Sequence, residues 1–252
     1  MAAEKTIILI TGANGGIGFD TSYELAATSP NYHVIMTGRT LSKGEQALKE
    51  IQARKPQGTL SFIQLDVTDD NSIAAATKQI ESEFGRVDVL INNAGILIFG
   101  PVNRDLLHAH FNTNLYGPIL LTQSLEPLLK KSKDLRIINV SSGLGSITHR
   151  LDPSNEYYGS NVAEVYRMTK AALNMLTASQ AYDYKDVGGK VWSYCPGFVI
   201  TNLSGESDRQ RRKDMGAESS ETSAVGIREI VEGKRDGETD KFVKRYGEHW
   251  EW

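Results

Sequence analysis

The sequence predicts an α/β protein: a doubly wound, mostly parallel seven-stranded sheet flanked by helices. Three observations predict it. Short apolar runs alternate with longer amphipathic stretches from the first residues onward. The runs are continuously apolar rather than alternating, as strands buried on both faces require. A glycine-rich turn occupies the first junction between the two kinds of stretch.

Taken in order, Thr6–Ile10 reads as the first strand and Ile17–Thr28 as the first helix. His33–Thr37 reads as a strand and Lys43–Arg54 as a helix. Ser42 with Glu45 three residues later forms a capping-box pattern at its start. Leu60–Leu65 and Val87–Ile91 are the next strands, with a helical pattern at Ser72–Phe84 between them. A long helical pattern, Arg104–Lys130, precedes a strand at Leu135–Val140. Ala163–Tyr184 reads as helix, Lys190–Cys195 as strand, Glu221–Glu232 as helix and Lys241–Val243 as a weak seventh strand. Ser146–Asn161 is polar and turn-rich, and Leu203–Gly216 is charged with almost no apolar residues. Each fits a plain surface loop or a substrate cover, and 203–217 is assigned the covering role.

The chain has 252 residues, a formal charge of −3 and 40% hydrophobic residues. With no repeat, low-complexity linker or composition break, 1–252 reads as one domain. That length buries a full core without disulfide or metal staples. The single Cys195 can neither bridge internally nor build a cysteine metal cluster. It reads as a small buried hydrophobe. Balanced charge argues against a nucleic-acid binder. The basic run Arg209–Lys213 reads as a solvated helix face, because Glu206, Asp208 and Asp214 surround it. No metal site is expected. His108 and His110 point apart on a helix, and His33, His149 and His249 lack ligand partners at metal-binding spacing. No run approaches the ~20 apolar residues of a membrane span, and no signal peptide is legible, so a cytoplasmic protein without membrane contact is expected.

Thr11-Gly12-Ala13-Asn14-Gly15-Gly16-Ile17-Gly18 follows the first strand and opens the first helix. Glycines there let the backbone turn sharply and let a pyrophosphate approach peptide N–H groups. The helix start adds unpaired donors and a positive dipole end. No lysine follows, which weakens a nucleotide-triphosphatase reading. The second strand ends at Thr37-Gly38-Arg39, the place where an acid would hold the ribose hydroxyls of NAD. The acid is absent. Arg39 either clamps a 2′-phosphate, favouring NADP, or merely begins the following loop.

Tyr166 and Lys170 lie four apart in a helical pattern, hence on one face. A nearby ammonium favours phenolate and lowers a tyrosine pKa, giving a group able to exchange a proton with a carbonyl or alcohol oxygen. With 10 tyrosines and 15 lysines in the chain, the pair alone carries little weight.

Together these motifs resemble the short-chain dehydrogenase/reductase family along nearly the whole chain. The turn, with Gly12, Asn14, Gly16, Ile17 and Gly18, matches its cofactor signature. Asp66-Val67 matches the adenine-contacting pair, and Asn92-Asn93-Ala94-Gly95 the segment closing the fourth strand. Asn114 sits where the family keeps a structural and catalytic asparagine. Ser142 matches the catalytic serine, with Ser141 an immediate rival. Pro196-Gly197-Phe198-Val199-Ile200-Thr201 matches the nicotinamide-facing loop.

The resemblance implies a Rossmann-type fold and an NADP(H)-dependent enzyme that reduces a ketone or aldehyde by hydride transfer. Tyr166 would be the general acid and Ser142 would orient the carbonyl. Lys170 would lower the tyrosine pKa and bind ribose hydroxyls. Asn114 would hold a water linking Lys170 to solvent. The Ser142–Tyr166 interval exceeds the family's commonest length, and the excess falls in Ser146–Asn161. Together with Gly237…Lys241-Phe242-Val243…Gly247…Trp250, this resembles the carbonyl-reductase-like branch. Helices near Arg104–Lys130 and Ala163–Tyr184 form the family's dimer interface. The longer segment leaves homodimer and monomer both open. Two other readings stay open: a cofactor-binding, non-redox member, and an epimerase or dehydratase on the same fold. The substrate has no readable code beyond a neutral or aromatic carbonyl, and Trp250 and Trp252 read as tail packing.

Overall fold

Ile7, Ile8, Leu9 and Ile10 are all buried, yet they join two different cores. Side chains alternate across a strand, so an unbroken apolar run must be covered on both faces. In the computed structural model, which describes residues 5–155, 158–159 and 162–252, that condition is met throughout one parallel sheet. Its strands are β1 (Thr6–Ile10), β2 (Tyr32–Gly38), β3 (Thr59–Gln64), β4 (Val89–Asn92), β5 (Arg136–Val140), β6 (Lys190–Cys195) and β7 (Phe242–Lys244). Their spatial order is β3-β2-β1-β4-β5-β6-β7, every neighbouring pair parallel.

Ile7, Leu9, Ile35, Leu90 and Ile137 pack on one face against α3 (Asp70–Phe84) and α5 (Gly117–Leu129), through Ile73, Ile80, Leu121 and Leu125. Ile8, Ile10, Met36, Trp192 and Tyr194 pack on the other against α1 (Gly16–Thr28), α2 (Leu41–Ala53) and α9 (Ser220–Val231), through Leu25, Ile51 and Ile227. The chain winds outward from β1 to β3, then returns to place β4 on the other side of β1. That reversal opens a crevice beyond the carboxyl ends of the strands, the usual ligand position in such sheets.

Three expectations need correction. Helix α2 begins at Leu41, and its N-cap residue, Thr40, makes no side-chain capping bond. Ser42 therefore lies inside the first turn, and the capping box is unused. Gly44 is pressed onto the Phe62 ring with no room for a Cβ, and this tertiary contact sets the helix in place. The long pattern Arg104–Lys130 divides into α4 (Arg104–Phe111), a π-helical turn at Asn112–Tyr116, and α5. Pro118 has no N–H to return to the Asn114 carbonyl four residues earlier, so regular α-bonding fails at that point. Finally, the polar 203–216 stretch contains a short helix, α8 (Asp208–Asp214), whose Arg212 is buried rather than solvated. Its guanidinium bonds Asp208 at 3.1 Å and the Val199 carbonyl at 3.2 Å.

Within 146–161, α6 (Ile147–Leu151) is a further short helix, and residues 156, 157, 160 and 161 fall outside the described part. Helix α7 (Glu164–Asp183) follows. Among the described residues, no helix is long and apolar enough to cross a membrane.

Candidate active site

A cleft of about 610 Å³ lies in the crevice beyond the strand ends. From the glycine turn, Gly12, Asn14, Gly16 and Ile17 line it. Gly12 and Gly16 have φ of +65° and +54°, conformations that side chains resist. Gly18 lies beneath the surface of the turn: a Cβ there would come within 2.5 Å of Asn93 Nδ2 and of the Gly12 carbonyl. Asn93 lines the cleft and also holds the turn. Its Nδ2 donates to the carbonyls of Thr11 at 2.8 Å and Gly12 at 3.1 Å. The amides of Asn93 and Ala94 both donate to Thr11 Oγ1 at 2.9 Å. Helix α1 has no side-chain cap and no acid in its first turn. Its leading N–H groups lack helical partners and suit a pyrophosphate.

At the β2 end, Arg39 and Lys43 are both exposed and both line the cleft. Sequence reasoning missed Lys43. The signal was its position four residues beyond Arg39 in the opening turn of α2, which brings a second cation to the same wall. Asp66 and Val67 line the next stretch, where one Asp66 oxygen accepts from the Thr68 amide at 2.9 Å and hydroxyl at 2.7 Å. This cradle of uncapped amides, flanked by two cations, fits a phosphorylated dinucleotide.

The catalytic candidates meet at the other end. Tyr166 and Lys170 are both buried on α7 and both reach the cleft. Lys170 Nζ donates to the Val140 carbonyl at 2.7 Å and lies 5.5 Å from the centre of the Tyr166 ring. Burial pushes the Tyr166 hydroxyl above the ordinary phenol value, and the nearby Cys195 adds to this; the Ser142 hydrogen bond and the Arg212 cation pull the other way without prevailing. The expected lowering is therefore corrected, because desolvation outweighs any attraction to the ammonium. Burial brings Lys170 down to about 8.

The two serines differ in their partners, and of the two only Ser141 is among the residues lining the cleft. Ser141 is buried and donates to Asn174 Oδ1 at 2.6 Å, a tie between β5 and α7. Ser142 is the one whose hydroxyl acts on Tyr166, favouring ionisation of the phenol. Its Oγ also accepts from the Leu144 amide at 3.2 Å. Asn114 is buried in the π-helical turn. Its Oδ1 accepts from the Ile96 amide at 2.8 Å, and its Nδ2 donates to the Ile96 carbonyl and to Thr169 Oγ1. Both amide protons are thus committed to joining the post-β4 segment to α7. Thr169, unnoticed in the sequence, receives one of them.

Ala94, Gly95, Pro196 and Thr201 also line the cleft, whereas Gly197 and Val199 turn away from it. Gly197 packs on the Arg245 guanidinium, and Val199 is buried beside α8. Across the mouth, the Leu97 amide donates to the Leu203 carbonyl at 3.0 Å, tying 203–217 to the opposite wall.

Comparison with known proteins identifies the family and the fold. Residues 6–212 match the family model described as short chain dehydrogenase. A short-chain dehydrogenase, anuI, of Penicillium roqueforti is 37% identical over 243 residues, covering 94% of this chain and 91% of that protein. The (-)-isopiperitenone reductase of Mentha piperita is 30% identical, covering 81% of this chain and 87% of its own. The crystal structure of an NADPH-bound carbonyl reductase from chicken fatty liver superposes with a TM-score of 0.83 at 28% identity, covering 99% of this chain and 100% of the other.

Proposed function

This chain belongs to the short-chain dehydrogenase/reductase family of nicotinamide-dependent oxidoreductases, and from that premise we propose that it reduces a ketone or aldehyde with NADPH, Tyr166 acting as general acid. When bound, the nicotinamide supplies the hydride. The chain's own residues bind, orient and protonate. The glycine turn and the start of α1 hold the pyrophosphate, and Arg39 with Lys43 grips a 2′-phosphate. Asp66 and Val67 flank the adenine, while Gly95, Pro196 and Thr201 border the nicotinamide end.

One observation carries the reading: Tyr166 and Lys170, both buried and one helical turn apart on α7, reach the cleft together, with the Ser142 hydroxyl acting on that of Tyr166. A phenol held above its ordinary pKa retains its proton until the carbonyl oxygen gains charge and takes it. Ser142 orients that oxygen. Lys170, down to about 8, remains largely an ammonium at neutral pH and returns a proton to the phenolate that Tyr166 leaves behind. Asn114 positions α7 through Thr169. Because Pro118 cannot bond its carbonyl, that carbonyl is the group suited to a water leading towards Lys170. Segment 203–217 covers a neutral or aromatic carbonyl substrate.

Tyr166→Phe is the test. Reduction of ketones, quinones and aldehydes should fall about 10²–10⁴-fold, the range for loss of a general acid, with NADPH affinity unchanged in a fluorescence titration. Near-wild-type turnover in that variant overturns the mechanism. Parallel assays with NADH should show much lower efficiency, and equal efficiency removes the role given to Arg39.

A further inference from the structure

Residues 247–252 do more than pack as a tail. Beyond β7 the chain reverses on itself: the Lys244 amide donates to the Glu248 carbonyl at 2.6 Å and the Trp250 amide to the Phe242 carbonyl at 2.7 Å, with Val243 bridged antiparallel to His249. This hairpin lays Trp250 on the turn that begins at Ser142. A Cβ on Gly143 would lie 2.7 Å from Trp250 Cζ2 and 2.9 Å from Cε2, so glycine and indole are in direct contact. The Gly143 amide donates to Cys195 Sγ at 3.1 Å. Gly145, two residues on, is pressed against α7, where a Cβ would lie 2.7 Å from the Lys170 carbonyl carbon.

The same tail also holds the start of the inserted segment. Ser146 Oγ donates to the Glu251 carbonyl at 2.6 Å. The Thr148 amide and hydroxyl donate to the Trp252 carbonyl at 3.0 Å and 2.9 Å. His149 meets Trp250 edge-on at 4.5 Å, and Trp252 stacks on Phe242 at 5.6 Å.

We propose that Trp250 is a positioning residue for the reaction: with Cys195 it fixes Gly143 and thereby aims the Ser142 hydroxyl, while Glu251 and Trp252 anchor the segment beginning at Ser146. The proposal rests on the reading of Ser142 as the group that orients the carbonyl. Its physical basis is the freedom of glycine. A serine followed by glycine has a soft backbone on one side, and a misplacement of about 1 Å at a reacting group costs about 10²-fold in rate. Ser142 Oγ is tied to the turn through the Leu144 amide, so any shift of the turn moves the hydroxyl. A rigid indole on one contact and a sulfur acceptor on another remove that softness. The long Ser142–Tyr166 interval and the two tail tryptophans thus explain each other.

The experiment combines kinetics with amide hydrogen exchange on the full chain. Trp250→Ala should lower kcat for aryl ketones about tenfold or more, speed exchange at residues 143–148, and leave NADPH affinity unchanged. Trp250→Phe keeps a ring over Gly143 and should recover most of kcat. In a Ser142→Ala background, Trp250→Ala should cost no further kcat, since no hydroxyl remains to be aimed. Equal losses in both backgrounds, or unchanged exchange at 143–148, overturn the proposal. Thr148→Val, which removes only one tail bond, serves if Trp250→Ala does not fold. It should speed exchange at 146–148 and lower kcat about twofold, and no change in either overturns the anchoring role. A Ser142→Ala enzyme as active as wild type overturns the underlying mechanism instead, while exchange still reports on the clamp.

Discussion

Two glycine-rich turns, at the carboxyl ends of β1 and β5, use the same local device for opposite ends. In both, glycines pack where no Cβ fits: Gly18 beneath Asn93, and Gly143 beneath Trp250. The first turn leaves the leading donors of α1 uncapped, so a diffuse, doubly charged group can settle on several N–H groups together. The second commits its donors internally. The Gly143 amide goes to Cys195, Leu144 to Ser142 Oγ, Gly145 to the Ser142 carbonyl and Ser146 to the Gly143 carbonyl. A turn with open donors suits an anion, whereas a turn with closed donors suits holding one hydroxyl in place. The difference lies in what surrounds the glycines, not in the glycines themselves.

The comparison can be broken most directly at Gly18. A valine there collides with Asn93 Nδ2 and the Gly12 carbonyl and should raise the NADPH dissociation constant about a hundredfold, near 3 kcal/mol, in a fluorescence titration. Gly143→Val collides with Trp250 instead. It should lower kcat by about tenfold or more and leave the NADPH dissociation constant in place; a variant that loses cofactor affinity as well would dissolve the distinction between the turns. Replacing Arg39 and Lys43 together by alanine sharpens the picture of the anion side. The NADPH-to-NADH preference should drop about tenfold, read from kcat/KM with each cofactor.

The smallest effect concerns Lys170, which lies beside the closed turn. Its folded-state pKa of about 8 lies below the ordinary 10.5. Between those values the unfolded chain binds a proton that the folded chain does not, so stability rises with pH across that window. Thermal unfolding of wild type and Lys170→Met from pH 7.5 to 10 should show the rise only in wild type, by roughly a few degrees.

How much of this was legible depended on the range of the contact that enforces it. The strand at Thr6–Ile10 and the first turn are read directly, because burial on both faces and sharp turning each leave a continuous local mark. The pairing of Tyr166 with Lys170 is equally plain, since helical spacing alone brings them together. The break at Asn112–Tyr116 was hidden inside an unbroken helical pattern, although Pro118 held the clue. The capping pattern at Ser42 was misleading because a ring from β3 set α2 in place. Arg212, read as solvated, is buried because Asp208 and the Val199 carbonyl compensate its charge. The Tyr166 shift ran opposite to the expectation because spacing reveals a neighbouring ammonium but not the water excluded around a phenol.

By itself, then, the sequence determined the alternation of strand and helix, the glycine turn after β1, the identities of the candidate proton donor and its lysine, and the cation at the end of β2. Those features depend on residues within a turn or two of each other, or on order along the chain. Only the tertiary structure gave Ser141 and Ser142 different partners, added Lys43 to the wall of the cleft, committed the Asn114 side chain to anchoring, and brought Trp250 onto Gly143. Each of those outcomes joins positions far apart in the chain. Such contacts follow from which surfaces a fold closes together, and no periodicity along the chain encodes that.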